Sequence, residues 1–160
     1  MHTFQDKNGK KWSIELNVGT AKRVKSECGI DLVNVITLTR EGKLEATALE
    51  RLADDPVLLV DCLFALCREQ AGEAGLDDFG FAALFDAAAV ESASDALMEE
   101  IINFSRPAKR KALEKIYQTA RRFAEKMDRK LDETLDNPEF ETEIELELNR
   151  SFTDTPESSE

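Results

Sequence analysis

One histidine, three cysteines and several adjacent carboxylate pairs are the residues of this chain whose types could carry chemistry. A serine or cysteine nucleophile needs a positioned base. The only histidine, His2, is expected at a mobile terminus. Cys62 and Cys67 are five positions apart, about 140° around a helix, so they cannot clamp one metal ion without distortion. Together with Cys28 they are odd in number and set in apolar sequence, the pattern of reduced core thiols. Asp54-Asp55 and Asp77-Asp78 could serve acid-base chemistry or hold a divalent cation, but both precede stretches where a helix N-terminus favours negative charge. Glu99-Glu100 is expected on a wet helix face. Gly72-Glu73-Ala74-Gly75 lacks the strand-loop-helix setting of a phosphate loop and reads as a helix terminator. No catalytic, cofactor-binding or metal-binding residue is therefore expected, and the chain is expected not to be an enzyme.

The elements that would position any site come from composition first. A chain of 160 residues that is 42% apolar can bury one sizeable core and is short for two. No run approaches the ~20 apolar residues of a membrane helix, and the N-terminus lacks the basic start and apolar stretch of a secretory signal. A cytoplasmic protein is expected. The net charge of -12 is very unevenly spread. Residues Asp132 to Glu160 hold eleven acidic residues and one arginine, a net of -10, whereas Arg106 to Lys130 carries ten Lys/Arg against three acids, a net of +7. The total charge and the acidic tail oppose binding to a polyanion, so nucleic acid is not expected as a partner.

Asn8-Gly9, set before the alternating run Trp12, Ile14, Leu16, predicts a β-hairpin with one apolar face. Helices are expected from Asn17 or Thr20 to Cys28, over Ile30 to Ile36, and over Leu44 to Ala53. Asp55-Pro56 opens a central core helix expected to run to about Ala71, with a narrow wet stripe through Asp61, Ala65 and Arg68. Asp86 to Phe104 is expected to follow, with Ala89, Ala93, Leu97, Ile101 and Phe104 inward. From Pro107 a long helix reaches about Leu135, its stripe made of Ala112, Ile116, Ala120, Phe123, Met127 and Leu131. The alternation of Ile144, Leu146 and Leu148 with glutamates fits a strand, but a lone acidic strand would need a sheet partner, and a helix is favoured. Ser151 to Glu160 is expected to be disordered.

The predicted fold class is mainly α (α+β): an N-terminal β-hairpin packed on a helical bundle, with a long basic helix and an acidic tail. Three segments are expected, namely a hairpin plus helical core over 1–105, a basic amphipathic helix over 106–135, and an acidic, largely disordered tail over 136–160. The apolar stripe of the basic helix and its flanks supply the candidate partner-binding residues Arg121, Arg122, Phe123, Lys126 and Met127.

Phe4-x-Asp6-x-x-Gly9-x-x-Trp12-x-Ile14-x-Leu16-x-Val18, with Arg23-Val24-Lys25 and Gly29-Ile30-Asp31-Leu32, resembles the start of phage tail assembly chaperones. The resemblance continues through Leu52-Ala53-Asp54-Asp55-Pro56, Leu66-Cys67-Arg68-Glu69-Gln70, Gly75-Leu76 and Phe79-Gly80, covering roughly residues 4 to 105. It implies a non-catalytic partner of the long helical tape measure protein, with many copies coating one tape before the tail tube polymerises. Such families often add a longer product made by translational frameshifting. Weak homo-oligomerisation is also expected, and the chaperone is not expected in the mature virion. The competing readings are a helical regulatory or nucleic-acid-binding phage protein and a structural tail or connector component.

Overall fold

The computed structural model describes residues 1–153, and the chain divides into two compact units, residues 1–115 and residues from 116 onward. It is mainly helical, as the apolar periodicity predicts. In the first unit, β1 (His2–Gln5) pairs antiparallel with β2 (Lys11–Ile14) in the register that puts Phe4 opposite Trp12. The turn is tight because Gly9 takes φ 81°, a left-handed conformation that costs glycine little. Phe4, Trp12, Ile14 and Leu16 are all buried, so one face of the hairpin is core.

Asn17 opens α1 (Val18–Cys28) with a capping box: its side chain accepts from the Thr20 amide and its own amide donates to the Thr20 hydroxyl. Gly29 ends the helix at φ 70°. The helix expected over Ile30 to Ile36 is absent. Asp31 Oδ1 accepts from the amides of Val33 and Asn34, which holds a turn there, while Ile30, Leu32, Val35 and Ile36 are buried from irregular backbone. Four hydrogen-bonded side-chain and backbone donors, led by the Lys25 ammonium, hold the Asp31 carboxyl below its usual range against the opposing effect of burial.

Two short strands were not foreseen. β3 (Thr37–Leu38) pairs with β4 (Leu44–Glu45) across the Gly42 turn, which takes the backbone groups of Leu44 and Glu45. The helix expected from Leu44 therefore begins later, as α2 (Thr47–Asp54). Asp55 caps α3 (Pro56–Leu66) by accepting from the Leu58 amide, with Pro56 in the first turn. α3 is the central helix, but it stops before Cys67, and α4 (Arg68–Glu73) follows. Beyond this break Gln70 meets the open edge of β2, its Oε1 accepting from the Ser13 amide at 3.0 Å and its Nε2 donating to the Ser13 carbonyl at 2.8 Å. One side chain thus pairs a strand edge as a neighbouring strand would. Two details of the central helix also differ from expectation. Ala65 is fully buried rather than wet, since Arg23 reaches over it to donate to its carbonyl, and Val57 is exposed.

Asp77 and Asp86 cap α5 (Asp78–Ala82) and α6 (Ala87–Phe104). Phe81 is at the centre of an aromatic cluster: Trp12 meets it edge-on at 4.9 Å between centroids, and Phe85 and Phe64 lie at 5.2 and 5.6 Å. Ala89, Ala93, Leu97 and Ile101 point into the core of the unit, but Phe104 is at the surface. α6 packs along β1 and so covers the hairpin.

α7 (Pro107–Leu135) begins in the first unit. Leu113 is fully buried, Lys109 donates to the Asn34 side chain, and Arg110 donates to the carbonyls of Ile102 and Asn103 at the end of α6. These contacts explain why the division falls after Lys115 rather than at the expected boundary after residue 105. In the second unit, α8 (Pro138–Thr153) is a helix, as favoured over a strand, and it runs three residues into the stretch expected to be disordered. The tail over 136–160 is therefore not largely irregular through Thr153. The remainder of that expectation, residues 154–160, lies outside the described residues.

Candidate partner-binding surface

The five predicted residues sit on the exposed half of α7. At 100° per residue, Ala120, Phe123, Met127 and Leu131 fall on one stripe. Phe123 is 65% exposed, Met127 48% and Leu131 57%, so the stripe faces solvent through three successive turns. Arg122 and Lys126, with Lys130 one turn further, form a basic line along one edge of it. Arg121 does not join them. It projects from the opposite flank, its guanidinium 5.8 Å from the Tyr117 ring centroid. The structure thus brings Arg122, Phe123, Lys126 and Met127 to one surface and sets Arg121 apart.

Sequence reasoning overlooked a second apolar stripe. On α8, Phe140, Ile144 and Leu148 recur every four residues, and with Glu143, Glu147 and Ser151 they line a shallow groove of about 350 Å³. Ile144 is 42% and Leu148 52% exposed. The alternation of Ile144, Leu146 and Leu148 concealed it, because Leu146 belongs to another side of the helix. The spacing of Phe140, Ile144 and Leu148 was the available signal.

The residues singled out for chemistry are placed differently. Among the described residues no group of three or more His, Cys, Asp or Glu could hold a metal ion. Cys62 and Cys67 are buried thiols. Burial pushes the Cys67 thiol up to about 12 and raises that of Cys62 as well. Asp55 and Asp77 serve as helix caps. Glu100 is the exception to its expected place on a wet face: it is buried, accepts from the Leu16 amide at 3.0 Å, and has an oxygen 2.6 Å from His2 Nδ1. Its Oε2 also lies 3.2 Å from the Met1 amine. Nor is His2 at a mobile end, since it is paired in β1. Burial alone would raise the Glu100 carboxyl, but these donors hold it below its usual range. Asp6 is similar: the Trp12 indole donates to it at 2.9 Å, and the Asn8 and Lys10 amides complete its shell, outweighing the effect of burial. Both carboxylates are structural clasps.

No helix among the described residues is long and apolar enough to cross a membrane. No protein-family model matches the sequence, and no curated protein and no solved structure matches it either.

Proposed function

We propose that this protein is a tail assembly chaperone of a tailed bacteriophage or prophage, one that binds the tape measure protein in the host cytoplasm and keeps it soluble during tail morphogenesis. The reading is non-catalytic, needs no cofactor, and has the chaperone leave before the particle is complete. The observation that carries it is the solvent-facing stripe of Phe123, Met127 and Leu131, edged by Arg122 and Lys126. A stripe of that width on an exposed amphipathic helix is a surface for another helix. The resemblance over residues 4 to 105 names the partner: a long helical protein whose own apolar face would aggregate alone. A coat of small acidic chains at -12 each would cover that face and lend the complex charge. Repeated weak contacts along one tape would add up through avidity.

Co-expression with the tape measure protein from the neighbouring gene tests this directly. The expected result is a higher soluble yield of that protein and co-purification of several copies of this chain per tape. Unchanged insolubility without co-purification would overturn the reading. Recovery of the chain from purified virions would point instead to a structural tail or connector component.

A further inference from the structure

Two exposed stripes on consecutive helices carry opposite charge along matching edges. On α7, Arg122, Lys126 and Lys130 recur every four residues beside the Phe123-Met127-Leu131 stripe. On α8, Glu139, Glu143 and Glu147 recur at the same interval beside the Phe140-Ile144-Leu148 stripe. At 100° per residue, each charged line falls on the same side of its stripe when viewed from the helix N-terminus. Two such edges meet only when the helices run antiparallel; in a parallel pair they lie on opposite sides of the seam. Antiparallel docking puts Arg122 against Glu147, Lys126 against Glu143 and Lys130 against Glu139. Glu147 already holds the Arg150 guanidinium at 3.3 Å, an exposed pair within one helix that a docked cation can replace.

The two helices of one chain do not make this pairing, since Phe123, Met127 and Leu131 on one and Ile144 and Leu148 on the other are exposed, Phe140 being half-buried. Only Asp136 and Asn137 separate the two helices. The Asp136 amide donates to the Asp132 carbonyl, the Asn137 amide to the Thr134 carbonyl, and the Phe140 amide to the Asn137 carbonyl, so hydrogen bonding runs almost unbroken from α7 into α8. Pro138 further restricts Asn137 to extended backbone.

We infer that α7 and α8 are a self-docking surface, the basic stripe of α7 taking the acidic groove of α8 from a second copy of this chain, and reciprocally, in an antiparallel dimer. The contact is isologous: one twofold axis satisfies both stripes of both chains. Each helix pair extends about 24 Å along α8 at 1.5 Å per residue. The inference does not rest on the chaperone reading. If that reading holds, a helical partner must displace α8 of the second copy from α7, which makes the dimer a resting form.

Sedimentation of the full chain over a wide concentration range should show a monomer-dimer equilibrium that weakens with salt. The Lys126→Glu/Lys130→Glu variant and the Glu139→Lys/Glu143→Lys variant should each dissociate at least about ten-fold more readily, exposed ion pairs being individually weak but here repeated. Circular dichroism should report unchanged helicity for both. Mixed at equal ratio, the two variants should form a heterodimer, because the reversed edges complement each other between chains. A wild-type chain that stays monomeric, variants that dimerise as the wild type does, or a mixture that stays monomeric overturns the inference. Zero-length crosslinking of wild-type chains, half of them isotope-labelled, provides a readout free of substitution. Mixed-isotope Lys126-Glu143 links are expected, and links found only within single chains would overturn the dimer in favour of a closed hairpin.

Discussion

The His2 imidazole lies 2.6 Å from the buried carboxylate of Glu100, 98 positions along the chain. The same carboxylate accepts from the Leu16 amide just beyond β2, so one side chain of α6 clasps both ends of the hairpin. The Asn103 side chain reaches the other imidazole nitrogen at 3.3 Å, which fits the tautomer carrying its proton on Nδ1.

Replacing Glu100 with Gln keeps an acceptor for the Leu16 amide but removes the charge. Because folding lowers this carboxyl, its contribution is fully present above its ordinary value of 4.5 and is lost as pH falls through the lowered value. Glu100→Gln should therefore destabilise the first unit by about 1–3 kcal/mol at pH 7, the cost of weakening a buried charged hydrogen-bond network. At pH 3 the gap between variant and wild type should narrow. Urea unfolding at the two pH values measures it, and a gap that is equal at both would contradict the clasp.

Phe81 and Phe79 are two residues apart and should respond in opposite ways. Phe81→Ala empties the centre of the cluster formed with Trp12, Phe64 and Phe85 and should cost about 3–5 kcal/mol. Phe79 is largely exposed, and Phe79→Ala should stay within about 0.5 kcal/mol of the wild type. Fluorescence of Trp12, the single tryptophan, follows both unfolding transitions.

Burial raises the thiols of Cys62 and Cys67, so thiolate is scarce at pH 8 and both should resist iodoacetamide in the native protein. Cys28, partly exposed and also raised, should react more slowly than a free thiol. Intact mass should show three labels after unfolding and none on Cys62 or Cys67 before it. Rapid native labelling of Cys67 would mean that the break between α3 and α4 opens readily.

What could be read from the residues was what nearest neighbours decide. Asn8-Gly9 for the hairpin turn, Asn17 and Gly29 for the two ends of α1, and Asp55-Pro56 for the start of α3 are each settled within four or five positions. Where competing local bonds decide, the periodicity misled. Asp31 holds the Val33 and Asn34 amides in a turn, and Leu44 pairs with Leu38 before α2 can begin. Glu100 was out of reach because its partners are 84 and 98 positions away, and a glutamate on an amphipathic helix otherwise reads as solvated. Of the candidate surface, the α7 stripe followed from its spacing. The α8 groove did not, because alternating glutamates drew the eye to period 2 and away from Phe140, Ile144 and Leu148.

The clasp also orders events in time. β1 and β2 are synthesised well before the helix that covers their apolar face, and the carboxylate that holds His2 and Leu16 arrives only with Ala87–Phe104. Domains otherwise tend to fold as the chain emerges, with local contacts forming ahead of distant ones. Here the hairpin stands without its α6 cover while the intervening helices are made, and a segment made before them is secured after them. A chain released before α6 is complete would therefore display part of the apolar face of the hairpin, which makes the finished sixth helix the checkpoint between a nascent chain that adheres to its neighbours and one that does not.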